Sequence, residues 1–465
     1  MAPAAMLAGD DARILIAIRV DTMTTSQSGC PRLSGRDSGS GLLFWSGILW
    51  LALCCLLPSA LAQGVISEPP PNFETQASSH GLIRSSVPPL AQGVSNAPGI
   101  YQWEGLDFHP HLLYRVIYGD GIPTSPTNHA KTFIQEVSPG LLVLIGDNWS
   151  LDYTPTLQLY SDSKLQDFTD ELITLNGHAN YHDWGFQLSQ TYSSSFSPLL
   201  ETEALTKQED YLTDLSASRV LNSQFSAQFG VSQSFRSTIL GSVSQDIKEW
   251  TGHAGLNYQV WSGFSANLTG TYGYDLDQPG ANMTFEQVQA AFTWAPGEKL
   301  SMTAGAGVEV RQLLGSELIN PLFNGTITYK PWEHTVASLT ASRTVSPSFF
   351  NNDVIVITTV SSSVSQRFLE HLTAEVSGGY TTTPFVGFGQ ISAIPGSHQI
   401  YPLVPTVTVE QSRSDVTRYA MVRLSTEFRE RGTISIFYSY NKTTSGLAAY
   451  DLTSTQLGLE IGWRY

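Results

Sequence analysis

From about Leu106 to its end the chain alternates between apolar and polar residues with a period of two. Phe225, Ala227, Phe229, Val231 and Phe235 share one parity, facing Ser226, Gln228, Gly230, Ser232, Ser234 and Arg236 on the other; Gln233 is the one polar residue on the apolar parity. Leu300, Met302, Ala304, Ala306, Val308 and Val310 alternate in the same way with Ser301, Thr303, Gly305, Gly307, Glu309 and Arg311. Ile434, Ile436, Tyr438 and Tyr440 alternate with Ser435 and Ser439. Side chains alternate across a strand, so each segment predicts a β-strand with one greasy and one polar face. The connections alternate too. Short ones include Gly146-Asp147-Asn148, His182-Asp183, Ser262-Gly263, Leu369-Glu370-His371 and Glu430-Arg431-Gly432. Between them lie longer polar stretches near 119–131, 162–170, 195–207, 237–245, 275–282, 313–319, 345–353, 381–413 and 442–453. The pattern predicts an all-β, antiparallel up-and-down barrel of about 18 strands (about 16–20), each about 9 to 14 residues long.

Periodicity alone fits a soluble sandwich as well, with its apolar faces turned inward. The last ten residues, QLGLEIGWRY, argue for a membrane barrel. Leu457, Leu459, Ile461, Trp463 and Tyr465 fall on one parity, and Gln456, Gly458, Glu460, Gly462 and Arg464 on the other. A terminal strand with a Gly, alternating apolar positions and a final aromatic residue resembles the insertion signal of bacterial outer-membrane barrels. Gly458, Ile461, Trp463 and Tyr465 would carry that signal. Trp184, Tyr192, Trp250, Tyr272, Tyr274, Trp294, Tyr329, Tyr438, Tyr440 and Trp463 lie near segment ends on the apolar parity, where interfacial aromatic girdles belong. In hydrocarbon an unpaired backbone group costs several kcal/mol, so the last strand is expected to pair with the first.

Composition narrows the picture. Only 14% of the 465 residues are charged, and the formal charge of −16 speaks against nucleic-acid binding. Gly41 to Leu57 form an apolar run preceded by Arg32 and Arg36, broken by Pro58 and followed by Ala60-Leu61-Ala62. This reads as a signal peptide over 1–62. A Pro- and Ser-rich flexible segment is expected over 63–100, then the barrel over 101–465. All three cysteines, Cys30, Cys54 and Cys55, precede the cleavage site, so no disulfide or thiolate ligand is expected in the mature chain.

Candidate chemistry is sparse. His178 and His182 are four apart but lie on a strand-like segment without the Glu of a metalloprotease motif. His109 and His111 share a face. No GxSxG elbow is present. No catalytic residue, cofactor or metal is expected. The inward parity does carry charges: Asp214, Arg236, Glu309, Arg311, Glu375, Asp415, Arg423 and Glu427 are the pore-lining candidates, with Glu460 and Arg464 on the same parity. Charge rings in a pore set ion selectivity. Trp261 and Tyr419 are placed on the inward face by parity. The stretch at 381–413, the longest, is expected either to fold into the lumen as a constriction or to lie outside as a receptor surface.

Four stretches add a family resemblance: LDFHPHLLYRVIYGDG, SPGLLVLIGDNWSLDYTPTLQLYS, EKLSMTAGAGVEVRQ and ITYKPWEHTVASLTASRTVSPS. The region from about 100 to 465 resembles the family known as β-barrel porin 2. That resemblance implies an outer-membrane barrel with no catalytic residue set, in some genomes encoded beside exopolysaccharide synthesis genes. The expected function is a porin-like channel for hydrophilic solutes, with polysaccharide export drawn from the resemblance alone. The expected partners are outer-membrane lipid, the barrel assembly machinery and the solute or polysaccharide. Two alternatives stand beside it: a closed structural or adhesive barrel whose external loops bind partners, and a barrel hydrolase.

Overall fold

The structure is a computed structural model that describes residues 101–464, except 104, 126–127, 203–204, 241–242, 279–281, 314–315, 350–352, 370, 389–408 and 430. The signal peptide over 1–62, the lead-in over 63–100 and the terminal Tyr465 lie outside the described residues.

The alternating segments form nineteen strands. A short β1 (Tyr101–Trp103) precedes β2 (Leu106–Ser125), β3 (Asn128–Ile145), β4 (Trp149–Tyr160), β5 (Phe168–Tyr181) and β6 (Trp184–Pro198). Then come β7 (Leu205–Val220), β8 (Phe225–Leu240), β9 (Val243–Trp261), β10 (Phe264–Gln278), β11 (Met283–Gly297), β12 (Leu300–Leu313) and β13 (Ser316–Tyr329). The chain ends with β14 (Thr335–Pro347), β15 (Asp353–Phe368), β16 (Leu372–Phe388), β17 (Val409–Phe428), β18 (Gly432–Ser445) and β19 (Leu452–Arg464). Every strand from β2 to β19 pairs antiparallel with its sequence neighbours. β19 pairs with β2, with Trp463 opposite Leu112 and Glu460 opposite Arg115. The ring is therefore closed with 18 strands, and β1 is a short extra ribbon on β2. Closure leaves no open sheet edge in the ring.

The register turns parity into geometry, because directly opposed residues share a face. Leu457, Tyr438 and Val422 form one such row, and Gly458, Phe437 and Arg423 the adjacent one. The first row is exposed and points outward; Phe437 is buried and points inward. Continued around the ring, exposed apolar side chains such as Val376, Val364, Leu339, Leu268 and Leu215 make a greasy outer belt. A belt of this extent far exceeds the apolar patches of water-soluble proteins, and it identifies a membrane-spanning barrel. All ten expected girdle aromatics fall on the outward face. Trp184, Trp294, Tyr329 and Trp463 stand near the short turns, and Tyr192, Trp250, Tyr272 and Tyr440 towards the other end.

Two expectations need correcting. The strands are longer than expected, 12 to 20 residues from β2 to β19. A tilted strand crosses hydrocarbon in about 9–11 residues, so the remainder stands beyond it. Much of what composition marks as long polar loops, such as 237–245 and 275–282, is strand: β8 runs on to Leu240 and β10 to Gln278. Outside the bilayer the outward face has no reason to stay apolar, so the sequence alternation fades while the backbone ladder continues. The second correction is Trp261. A bulge opposite Phe264 and Ser265 returns it to the outward side, where its ring stacks on Phe264 at 4.6 Å.

The inner wall is not uniformly polar. Ile117, Ile134 and Phe437 form a buried inward cluster with Tyr160 packed against it. The Phe437 ring lies flat across Gly458, its partner on β19, where any Cβ would overlap the ring. Gly458 is thus required by close packing at the closing strands. Replacing Gly458 with Val should cost about 1–3 kcal/mol by overpacking. A urea titration followed by tryptophan fluorescence would show it as an earlier midpoint, and adding Phe437→Ala should recover part of the loss.

Candidate functional site

The inward residues form two charged layers. The lower one straddles the closing seam. Arg115 on β2 donates from Nη1 to Glu136 of β3 at 2.8 Å and from Nη2 to Glu460 of β19 at 2.9 Å. Arg423 of β17 reaches the other oxygen of Glu460 at 3.5 Å, and Glu375 of β16 stands opposite Arg423 in the ladder. These residues fall on one parity because each occupies the inward row of its own strand. Alternating signs across neighbouring strands are the arrangement that a sheet stabilises.

The upper layer lies where the strands outrun the bilayer. Arg311 of β12 pairs with Asp275 of β10 and, at 2.9 Å, with Glu309 two residues away. Gln287 donates to the second oxygen of Glu309 at 2.6 Å, and the Arg311 guanidinium sits 4.5 Å from the Phe285 ring. Phe285 lies across Gly273, where a Cβ would meet it; the missing side chain lets Arg311 reach past β11 to β10. Five strands along the ring, Arg413 of β17 donates to Asp415 at 3.0 Å and packs 4.9 Å from Phe385. Arg311, Glu309 and Asp415 are at most 1% exposed. At these three positions the expected open ring of charge is replaced by buried pairs. The reason is the length of the strands, which lets inward charges pack against one another above the membrane level.

Two connections meet inside the ring. Glu201, between β6 and β7, accepts hydrogen bonds from Ser348 Oγ at 3.1 Å and Phe349 N at 2.9 Å, both in the connection from β14 to β15. Leu199, Phe349 and the inward Ile247 of β9 form one apolar cluster. The inward Arg236 of β8 donates to the Pro347 carbonyl at 3.0 Å and lies 5.7 Å from the Phe349 ring. From the far wall, Arg413 of β17 donates to the Glu201 carbonyl at 2.7 Å. β8 and β17 stand half-way round the ring from each other. Opposite backbones of such a ring are about 35 Å apart, given strands spaced about 4.8 Å and tilted about 40°. No pair of side chains spans that distance, and the 199–202 segment supplies the middle of the bridge. Glu201 is 2% exposed and Ser348 is fully buried, so the contact excludes water.

Below the bridge the lumen is less filled. Asn176, His178, Gln187 and Ser218 are inward and exposed, and Thr303, Thr326, Ser363 and Glu375 are inward and half-buried. Leu172 faces inward and is still 43% exposed, which a packed interior would not permit.

Of the other expected residues, Asp214 faces the lumen opposite Ser232, and Glu427 stands exposed at the short-turn rim. Tyr419 faces inward across Gly379. The inward His111 contacts Thr154 Oγ1 at 2.9 Å, and His109 lies 3.3 Å from Asp107. His178 is on β5, while His182 is in the following turn with a positive φ. Most of the stretch at 381–413 lies outside the described residues, namely 389–408. Glu201, Arg413, Asp275, Arg115 and Glu136 were missed. Parity places Arg115 and Glu136 inward, whereas Glu201, Asp275 and Arg413 fall in stretches whose composition is that of loops.

No protein-family profile matches the chain, so the resemblance to the β-barrel porin 2 family has no support from that comparison. No curated protein matches it either. Among solved structures it is similar to the outer membrane protein OpdK of Pseudomonas aeruginosa, with 11% identity, 77% of this chain and 98% of that chain covered, and a TM-score of 0.42. It is also similar to OccK9 (OpdG) of the same organism, at 11% identity, 78% and 99% coverage and a TM-score of 0.43. Similarity to OccAB3 of Acinetobacter baumannii is 9% in identity, with 77% and 100% coverage and a TM-score of 0.41.

Proposed function

We propose that this barrel sits in a bacterial outer membrane and passes small hydrophilic solutes through a lumen narrowed by the Glu201 bridge. The observation that carries this reading is the contrast within the lumen. The inward face below the bridge is polar and exposed, and the bridge above it is a single narrow contact of one connection with another and with two arginines. A conducting barrel needs both a wet wall and a place where solutes are chosen. Arg236 and Arg413 at the bridge, with Asp214 and Glu375 on the wall below, are the groups that would act on a charged solute. Selection would rest on size and on charge at the bridge, with diffusion as the driving process. Export of a wide polymer is disfavoured, because a chain of sugars could not pass beside the bridge without its displacement. Delivery through the signal peptide and insertion through Gly458, Ile461, Trp463 and Tyr465 belong to the same reading.

The bridge also favours a second reading, a closed structural barrel. Conductance separates the two. Residues 63–465 refolded into a planar bilayer should give discrete, steady channels in 1 M KCl. Silence from protein whose gel mobility shifts on boiling would overturn the channel and favour the closed barrel.

A further inference from the structure

The outward face carries one feature that the channel does not use. Arg418 of β17 and Lys442 of β18 are directly opposite in the ladder, and both are exposed. Like charges in this position repel and weaken the sheet. Two other lysines of the outer face have an acid beside them: Lys131 lies 3.2 Å from Asp120, and Lys207 lies 2.6 Å from Glu209. Arg418 and Lys442 have no such partner among the described residues. The neighbouring outward positions in the ladder are Tyr380, Val416, Ala420, Tyr440 and Thr453, none of them acidic. Asp451, at the start of β19, accepts a hydrogen bond from the Ser445 amide at 2.7 Å. The connection 389–408 that joins β16 to β17 contains no Asp or Glu.

The position of the pair indicates its ligand. Tyr380, 42% exposed, is the ladder partner of Arg418 on β16, with its ring 5.9 Å from the guanidinium, and Tyr440 is two residues from Lys442 towards the membrane. Exposed tyrosines of a barrel mark the level at which hydrocarbon gives way to headgroups. The two cations therefore stand at the level of these tyrosines, where headgroups begin, on the long-connection side. An ammonium and a guanidinium side by side, flanked by two tyrosines, fit a phosphate held by both, with charge-assisted hydrogen bonds offsetting their repulsion. We propose that Arg418 and Lys442 form a docking site for the phosphate of a membrane lipid headgroup, with its acyl chains lying on the outward row of β16–β18. The proposal rests on the membrane reading above and adds a lipid partner to it.

The test uses barrel refolded in a zwitterionic detergent and titrated with lipid A carrying two phosphates. Native mass spectrometry counts the bound lipid. Wild type should prefer lipid A over phosphatidylcholine by about tenfold, as expected for a paired cation site on phosphate. R418Q/K442Q should lose that preference, and K330Q, near the short turns, should keep it. K442E supplies Arg418 with an acid and should lose the preference too, which covers poor refolding of the double variant. Equal preference in wild type and the substituted barrels overturns the proposal. So does displacement of the lipid by millimolar inorganic phosphate, which would mean a phosphate site without lipid docking. A folded barrel with no lipid preference sinks this proposal alone; wild type that fails to insert into vesicles sinks the membrane reading beneath it.

Discussion

Glu201→Ala should raise single-channel conductance several-fold over wild type. The Glu201 carboxylate accepts two hydrogen bonds from Ser348 and Phe349, and it is buried. Hydrogen bonds to a charged group contribute about 1.5–3 kcal/mol each. Losing both removes two polar ties between the connections and leaves the apolar contact of Leu199 with Ile247 and Phe349 and the Arg413 bond to the residue 201 carbonyl. The 199–202 segment would then leave the bridging position for a large fraction of the time. Arg413→Ala attacks the same bridge from the opposite wall, at the Glu201 carbonyl, but it also strands Asp415. Glu201→Ala leaves the Arg413–Asp415 pair untouched, so it is the cleaner variant. If both variants refold and conduct as wild type does, the bridge does not limit flow, and the wall below it must set the conductance.

The second large effect is on stability. Arg115→Met should destabilise the barrel by about 3 kcal/mol, the low end of the cost of breaking a buried ion pair, since the lumen partly wets the site. Arg115 pairs with Glu136 on one side of β2 and with Glu460 on the other. Its loss sets two inward carboxylates facing one another across β2, at the one place where the ends of the ring join. Refolding should slow as well, because closing the ring is a contact between strands 345 residues apart in sequence. Urea unfolding in detergent, read by boiling-dependent gel mobility, measures the first effect. Tryptophan fluorescence after dilution into lipid measures the second. A substituted barrel with wild-type midpoint and refolding rate would show that the backbone ladder closes the ring without help from Arg115. Glu460→Gln, which removes one acid instead of the shared base, should be much milder.

Much of the fold was legible because its rule is local. A strand face repeats every two residues, so rows such as Leu457, Leu459, Ile461 and Trp463 declare their side within a few residues. A closed ring of about 18 strands follows from such rows plus the cost of an open edge in hydrocarbon, and the structure sets the count at 18. The inward placement of Arg423, Glu375 and Asp214 followed from the same parity. Parity failed at Trp261 because one bulge shifts the count by a residue. It puts Phe437 inward with Ser435 and Ser439 but could not show its packing, since that depends on a glycine across the ladder.

The sequence by itself therefore determined the class of barrel, the sides of its strands and the short-turn end, since these depend on neighbours two to ten residues away. Tertiary structure alone decided which charges meet, which are buried and which connection crosses the lumen. Glu201 finds Ser348 at a separation of 147 residues, and Arg413 finds the Glu201 carbonyl at 212. No periodic pattern encodes such a meeting. It depends on ring size, on the offset of each strand against the next and on strands long enough to bring their far ends together above the membrane.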